Sequence, residues 1–192
     1  KTEVAWSDVT ISMMPAFMMG DWKGIENIVK NFQDTSMRLK YSQIPVVAAT
    51  QGYAFGGGCE FVMHADKVVA ALETYIGLVE VGVGLLPAGG GCKEFTLRAA
   101  NEAKGDVLAA VKDYFMAIAT AKVGTSALEG QEIGFIKKTD TVVFNAYELL
   151  YVAKQEALAM AEAGYRPPLK GKGFPVAGRA GAASIKGQLV NM

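Results

Sequence analysis

The sequence predicts an α/β protein, because short apolar runs typical of buried strands alternate with segments of helical periodicity. Of its 192 residues, 51% are hydrophobic and 20% are charged, which is enough apolar material for one domain and excludes a disordered polar chain. Basic and acidic residues are equally numerous, at 19 each, so the composition argues against a globally basic nucleic-acid binder.

The first predicted helix begins after Asp21, whose side chain can cap it, and ends near Lys40. Its apolar positions repeat at i, i+3, i+4 and i+7, which places them on one face; they are Ile25, Ile28, Val29 and Phe32. This is the pattern of an amphipathic helix that packs one face on a core.

A strand, a short helix and a second strand are predicted next. Residues 46–50 form an apolar run after Pro45, a pattern typical of a strand that is buried on both faces of a sheet. A helical stretch at 59–63 follows three glycines, and residues 67–71 read as the next strand. This alternation is the main evidence for the α/β class.

The second half of the chain is predicted to be mostly helical. Residues 75–91 are apolar and glycine-rich, so we expect strand and loop there, and residues 107–118 have helical periodicity. Two further helices are predicted from capping boxes, which are Ser126 with Glu129 and, more weakly, Asn145 with Glu148. The last of these helices should stop at Gly164.

The end of the chain differs in composition from the rest. Residues 163–192 contain five basic residues and no acidic one, and glycine and proline are frequent after Tyr165. We therefore predict a domain at residues 1–165 and a Gly/Pro-rich basic tail or linker, extended rather than packed in the core, at residues 166–192.

Few residues of the chain could bind a metal or form disulfides. Two cysteines, Cys59 and Cys92, and one histidine, His64, argue against a disulfide framework and against a zinc site, so no metal is expected. The thiols are expected to be reduced, as in a cytoplasmic protein. No apolar run reaches the ~18 residues that a membrane helix needs, and no secretory signal follows Lys1.

Gly56, Gly57 and Gly58 lie between a predicted strand and a predicted helix. They could form a tight turn, but such a turn needs only one or two glycines. Alternatively, they leave the N–H groups at the start of the helix open to an anionic ligand. Glu60 follows Gly57 by about one helical turn, so its carboxylate would lie beside that N–H site and could move a proton there.

Glu80 is a second unusual carboxylate, because it lies in an apolar stretch flexed by glycines. Buried there, it would need partners or a raised pKa, although it could also be a solvated loop residue. Two carboxylates, one beside an oxyanion site, could hold and activate a water. His64 is expected to be an ordinary residue at a helix end, since no nucleophile elbow accompanies it.

Residues 44–60 strongly resemble the signature of the enoyl-CoA hydratase/isomerase (crotonase) superfamily, and residues 75–91 resemble its second signature. Residues 65–68 are similar to the Asp-containing link between the two. The resemblance extends over about 21–165. It is strongest to the hydratase part of bacterial multifunctional fatty-acid oxidation proteins, in which a 3-hydroxyacyl-CoA dehydrogenase is fused to the hydratase. This chain has no Rossmann fingerprint, so a dehydrogenase would lie outside it.

The resemblance implies a spiral of ββα turns followed by C-terminal helices, and an enoyl-CoA hydratase of fatty-acid β-oxidation. Gly57 N–H would bind the thioester oxygen, and Glu60 and Glu80 would take the places of the two catalytic glutamates. Substrate-binding positions are further implied at Gly56, Gly58, Pro87 and Gly89. No cofactor is expected within the chain, because coenzyme A is part of the substrate. A homo-oligomer or a larger fatty-acid oxidation protein is expected.

The N-terminal region departs from the family pattern. The family has a second N–H donor in a loop before the helix that begins after Asp21, and Ser7 is at the nearest matching position. The family's preceding strands are missing, so we expect the ββα spiral to be incomplete at its N-terminal end.

Two other functions remain open at this stage. The glutamate pair does not exclude a Δ3–Δ2-enoyl-CoA isomerase, and the fold could also serve as a non-catalytic module for acyl-CoA binding or assembly. An apolar stripe, formed by Met13, Met14, Phe17, Met18 and Met19, could line an acyl pocket or be ordinary core. Basic residues of the tail could pair with the CoA phosphates or belong to a solvated linker; they are Arg166, Lys170 and Lys172.

Overall fold

The computed structural model describes residues 13–103, 105–171 and 173–190. The strands in this part of the chain are β1 (Val47–Thr50), β2 (Tyr53–Phe55), β3 (Lys67–Ala71), β4 (Tyr75–Gly77), β5 (Val123–Gly124) and β6 (Thr141–Val143). They form two three-stranded sheets, ordered β1-β3-β6 and β2-β4-β5. All neighbouring strands are parallel except β4 and β5, which are antiparallel.

Helices make up most of the remaining described chain. They are α1 (Trp22–Lys40), α2 (Gly57–His64), α3 (Gly91–Glu102), α4 (Val107–Ala119), α5 (Ala127–Ile133), α6 (Leu149–Glu162) and α7 (Gly178–Leu189). Two short 3₁₀ turns lie at Glu80–Val83 and Ala146–Glu148, and residues 13–18 are also helical.

The chain forms turns of a ββα spiral, as the resemblance implies. It leaves β1 in one sheet and enters β2 in the other, at Gly52, whose positive φ of 68° suits glycine. Helix α2 follows, and β3 and β4 then repeat the same change of sheet one layer further on. Thr74 holds the two layers in register, because its hydroxyl donates to the Thr50 carbonyl over 3.1 Å.

The main core lies between α2, α3, α4 and the sheets. Phe95 of α3 stacks on Tyr114 of α4 and on Phe135, with ring centroids 4.4 and 5.2 Å apart. Buried Arg98, also on α3, donates to the carbonyls of Phe135 and Met63 over 3.0 and 3.2 Å, and to Gly134. Because Met63 belongs to α2, these bonds fix the end of the helix that carries Glu60.

The predicted helix starts agree with the structure. Asp21 Oδ1 accepts from the Gly24 N–H over 2.8 Å, and α1 ends at Lys40 as expected. Ser126 Oγ accepts from the Glu129 N–H over 3.1 Å, so the predicted cap of α5 is present. The helix predicted from Asn145 begins as a 3₁₀ turn and continues as α6 to Glu162, two residues before Gly164.

One prediction about burial is wrong. The strand expected to be buried on both faces, β1, is an edge strand, and its Ala49 is exposed while only Thr50 is buried. The central strand β3 has that burial instead, since four of its five residues are buried between β1 and β6. An apolar run of four or five residues does not encode its position within the sheet.

The end of the chain is also more ordered than the predicted extended tail. Residues 178–189 form α7, and a Cβ added to the buried Gly181 would lie 3.4 Å from Leu108 Cδ1 of α4. The close approach of α7 to α4 gives these residues a packing surface, which glycine content alone does not predict. The division of the chain at residue 165 stays a prediction.

Candidate active site

The structure brings four of the predicted site residues together in one open cleft. Gly57, Glu60, Glu80 and Gly89 line it, and its empty volume is about 460 Å³. The rest of its described lining is apolar and consists of Met13, Val29, Phe32, Leu85, Leu86 and Ala88. The cleft therefore places two carboxylates among hydrophobic side chains.

The N-terminal end of α2 opens onto this cleft. Gly56 precedes the helix with a φ of 53°, and its N–H donates to the Gly77 carbonyl of β4 over 2.9 Å. Helix α2 begins at Gly57, so the N–H of this residue has no acceptor within the helix. Because Gly57 lines the cleft, the positive end of the helix dipole points toward this space.

Glu60 is buried on α2 and is held by the glycine-rich loop that follows Pro87. Its Oε1 accepts from the Gly91 N–H over 2.8 Å, and the residue is only 3% exposed. A Cβ at Gly89 would overlap both the Phe32 ring and the Glu60 carboxylate, so this approach needs glycine. Burial raises the pKa of Glu60, and hydrogen bonds from the loop N–H groups offset part of that rise.

Glu80 is the first residue of the 3₁₀ turn and is 2% exposed. Neither carboxylate oxygen has a hydrogen-bond partner within the described residues. Burial raises the pKa of Glu80 to about 7; its own backbone N–H lowers it somewhat, and the charge of Glu60 adds to the rise. The expectation of a buried carboxyl with a raised pKa is confirmed, and the solvated-loop alternative is wrong.

The other predicted site residues lie outside the described cleft lining. Gly56 and Gly58 flank Gly57 at the start of α2. Pro87 is buried, and a Cβ at Gly91 would lie 2.9 Å from its Cβ, so it packs beneath the loop that holds Glu60. Ser7, predicted as a second N–H donor, lies outside the described residues. The roles of all of these residues stay predictions.

The methionine-rich segment is not ordinary core. Met14, Phe17, Met18 and Met19 are exposed, which contradicts the core alternative for these four residues. Met13 instead lines the cleft that contains the two carboxylates. In the short helix at residues 13–18, one methionine therefore faces the cleft, and the other large apolar side chains are at the surface.

The sequence interpretation missed a polar cluster beside the cleft, formed by Lys40, His64, Lys93 and Glu94. His64 is at the end of α2 as predicted, but its side chain is fully buried. Its Nε2 lies 2.9 Å from Lys93 Nζ, and Glu94 accepts from both lysines. Lys40 and Glu94 are 54 positions apart, so no local spacing could have indicated the cluster.

Neither a metal-binding cluster nor a membrane-spanning helix occurs among the residues that the structure describes. Within residues 13–103, 105–171 and 173–190, no three His, Cys, Asp or Glu side chains are grouped so that they could hold a metal ion. None of the helices described is both long and apolar enough to span a bilayer.

The sequence profile of the enoyl-CoA hydratase/isomerase family matches residues 23–125, which include the cleft residues Gly57, Glu60, Glu80 and Gly89. The chain belongs to this family. Solved family structures share its fold. An enoyl-CoA hydratase from Bacillus anthracis is 26% identical, with a TM-score of 0.60 over 73% of this chain and 48% of that one. A carnitinyl-CoA dehydratase from Mycobacterium avium 104 is 28% identical, with a TM-score of 0.51 over 66% and 44%.

One relative is closer in sequence and much longer. A protein of Bacillus subtilis (strain 168) named "Probable 3-hydroxyacyl-CoA dehydrogenase" is 44% identical over 161 residues, which are 84% of this chain and 20% of that protein. The chain thus matches only about a fifth of the length of that relative. A protein of Rickettsia felis, named "Putative fatty acid oxidation complex trifunctional enzyme", is 41% identical over 45% of this chain and 12% of its own length.

Proposed function

We propose that the chain is an enoyl-CoA hydratase, which adds water across the 2,3 double bond of an enoyl-CoA in fatty-acid oxidation. The observation that carries the proposal is the placement of Glu60 and Glu80 in one apolar cleft at the N-terminal end of α2. Hydration needs one group that takes a proton from water and one that gives a proton to carbon, and two carboxylates of different pKa can divide these tasks.

The environments of the two carboxylates support one division of labour. Glu60 accepts the Gly91 N–H, which favours its charged form, so it acts as the base toward water. Glu80 has a pKa raised to about 7 and is partly protonated at neutral pH, so it supplies the proton to C2. Glu60 takes a proton from water, and the resulting hydroxide bonds to C3. The electron pair of the double bond takes the proton of Glu80 at C2. Glu60 then returns its proton to Glu80 through solvent.

Backbone N–H groups would stabilise the charge that develops on the thioester oxygen. Gly57 lines the cleft at the positive end of the α2 dipole, and its N–H has no acceptor within the helix. We assign a second donor to the segment around Ser7, in line with the family resemblance. The reaction uses no resident cofactor in this proposal, because coenzyme A enters and leaves with the substrate.

The apolar side of the cleft would receive the acyl chain. Met13, Leu85 and Leu86 lie on the lining that also contains the carboxylates. Methionine can adapt to chains of different shape, since its side chain is unbranched and polarizable. One cleft would thereby hold the acyl chain beside the acid and the base.

We further propose that the hydratase works within a larger fatty-acid oxidation protein in the cytoplasm, as a homo-oligomer. The name of the Bacillus subtilis relative supports a dehydrogenase in the same polypeptide, which would oxidise the 3-hydroxyacyl product. The name of the Rickettsia felis relative supports a multifunctional protein of fatty-acid oxidation. Size measurement by light scattering on the full-length protein tests the oligomer.

The test uses the full chain and measures two things, the incorporation of oxygen from water and the position of the double bond in the product. A short 2-enoyl-CoA is incubated in ¹⁸O-labelled water, and the matching 3-enoyl-CoA is incubated in parallel. We expect ¹⁸O in a 3-hydroxyacyl-CoA product from the 2-enoyl substrate. Conversion of the 3-enoyl to the 2-enoyl compound with no ¹⁸O uptake from either substrate would assign the isomerase activity instead. Binding of both compounds without turnover would assign a non-catalytic module.

A further inference from the structure

A network of charged and polar side chains lies against the backbone of Glu60 and of the loop that holds its carboxylate. Lys40 of α1 donates to both oxygens of Glu94 over 2.8 and 2.7 Å, and Lys93 donates to Glu94 Oε1 over 2.7 Å. Lys93 Nζ also lies 2.9 Å from His64 Nε2 and 3.3 Å from Met37 Sδ. The side chains of His64 and Glu94 are 0% and 3% exposed, whereas those of Lys40 and Lys93 are 16% and 36% exposed.

The contacts of this network fix the tautomer of His64. All three ammonium protons of Lys93 have an acceptor within reach, and His64 Nε2 is one of them. Nε2 must therefore carry a lone pair, and the proton is on Nδ1, which donates to the Glu60 carbonyl over 2.6 Å. Burial lowers the pKa of His64, which agrees with a neutral ring.

The ring of His64 supports the loop that holds the Glu60 carboxylate. A Cβ built on Gly90 would lie 2.5 Å from His64 Cε1 and 2.7 Å from Nε2, so the ring packs directly against the Gly90 backbone. Gly90 has a φ of 127° and immediately precedes Gly91, whose N–H donates to Glu60 Oε1. The ring thus contacts both the backbone of Glu60 and the loop that binds its side chain.

We propose that His64, held by Lys93, is a positioning residue that keeps the Gly91 N–H aimed at the Glu60 carboxylate. The inference rests on the proposed role of Glu60 as the base toward water. Without the ring, Gly90 loses its support, the hydrogen bond from Gly91 weakens, and the charged form of Glu60 loses stabilisation. His64 itself is neutral and does not touch the cleft.

Other titratable groups face these two residues; His64→Ala leaves their charges unchanged, whereas Lys93→Met removes one positive charge. The charge of Glu60 adds to the raised pKa of Glu80 in the 3₁₀ turn. Cys59 of α2 and Cys92 of α3 carry thiols whose pKa values are raised by burial first and then by the two carboxylates. Lys40, Lys93 and Glu94 surround His64. Because His64 is neutral, replacing it with alanine removes no charge from this set.

The first readout is the pH profile of kcat/KM for hydration by the full chain. For His64→Ala we expect the acidic limb to move up by about one pH unit, the effect of losing one charge-assisted hydrogen bond to a carboxylate. Lys93→Met, which removes the donor to Nε2, should move it in the same direction by less. The matched control is Val62→Ala, which truncates another buried side chain of α2 outside the network and should leave the limb in place.

The second readout does not depend on activity. The amide proton of Gly91 is followed by NMR against pH, and its titration is assigned to the Glu60 carboxylate by its loss in Glu60→Gln. We expect a higher midpoint in His64→Ala and an unchanged midpoint in Val62→Ala. If His64→Ala does not fold, His64→Asn, which is also neutral and lacks the ring, gives the same comparison.

The outcomes separate this inference from the proposed function. Lower activity or stability in His64→Ala, with neither the limb nor the Gly91 midpoint moved, would overturn the positioning role. If the Gly91 midpoint moves in a chain that does not hydrate enoyl-CoA, the positioning role of His64 is supported and only the proposed hydratase activity is contradicted.

Discussion

Glu60 and Glu80 line the same cleft, but among the described residues only Glu60 accepts a hydrogen bond that orients its carboxylate. The Gly91 N–H reaches Glu60 over 2.8 Å, whereas both oxygens of Glu80 are buried without such a partner. Burial therefore raises the pKa of both carboxylates, but the loop N–H groups offset part of that rise at Glu60. This asymmetry has consequences for stability as well as for catalysis.

The first prediction concerns the dependence of stability on pH at Glu80. Its pKa is raised from 4.5 to about 7 in the folded chain, so the folded state binds more protons than the unfolded state between these values. The contribution of Glu80 to stability is present below pH 4.5 and is lost as pH rises through about 7. Glu80→Gln should therefore gain stability relative to the parent chain over this range, by about 2 kcal/mol after allowing for water in the open cleft.

Urea unfolding of both chains at about pH 5 and about pH 8 measures this difference. Glu73→Gln, at an exposed carboxylate between β3 and β4, is the control. A constant difference between Glu80→Gln and the parent at both pH values would contradict a buried, protonated Glu80.

The second prediction concerns the close approach of Gly89 to Glu60. Gly89→Ala places a methyl group against the Phe32 ring and the Glu60 carboxylate, so one of them must move. We expect kcat/KM for hydration to fall at least about tenfold, with overpacking that costs about 1–3 kcal/mol of stability. Gly82→Ala is the matched control, because its methyl group would meet Ala121 at an ordinary 3.7 Å. Equal activity in the two variants would show that the loop does not restrain Glu60.

The third prediction concerns Arg98, which joins α3 to the end of α2 and to the loop after α5. Arg98→Met leaves the buried carbonyls of Met63, Gly134 and Phe135 without their charged donor. We expect the free energy of unfolding to fall by about 2–4 kcal/mol in urea titrations. Arg179→Met on the exposed side of α7 should cost less than about 0.5 kcal/mol. Similar losses in the two variants would mean that the buried bonds of Arg98 add little.

Local signals were sufficient for the parts of the site that short segments encode. Gly57 and Glu60 are one helical turn apart, and a charged residue in an apolar glycine-rich stretch marked Glu80. Both features depend on sequence within a few positions, and all three residues line the cleft. The ββα order likewise follows from the alternation of short apolar runs and helical segments.

Features that depend on distant residues could not be predicted in this way. The edge position of β1 depends on the order of three strands, and the packing of α7 depends on Leu108 of α4. Helix α3 was not predicted either, although Phe95 and Ala99 on its buried side have helical spacing. The network around His64 combines residues of α1, α2 and α3, and it forms only once those helices have packed.

The most direct test of the central claim, that Glu60 and Glu80 act together as base and acid in hydration, is kcat/KM for one short 2-enoyl-CoA. The parent chain is compared with Glu60→Gln, Glu80→Gln and the exposed control Glu73→Gln, and binding of the saturated acyl-CoA is measured by calorimetry. We expect each cleft variant to lose at least about 100-fold in kcat/KM, with acyl-CoA affinity retained, while Glu73→Gln behaves as the parent. Near-parental turnover in either Glu60→Gln or Glu80→Gln would contradict the two-carboxylate account.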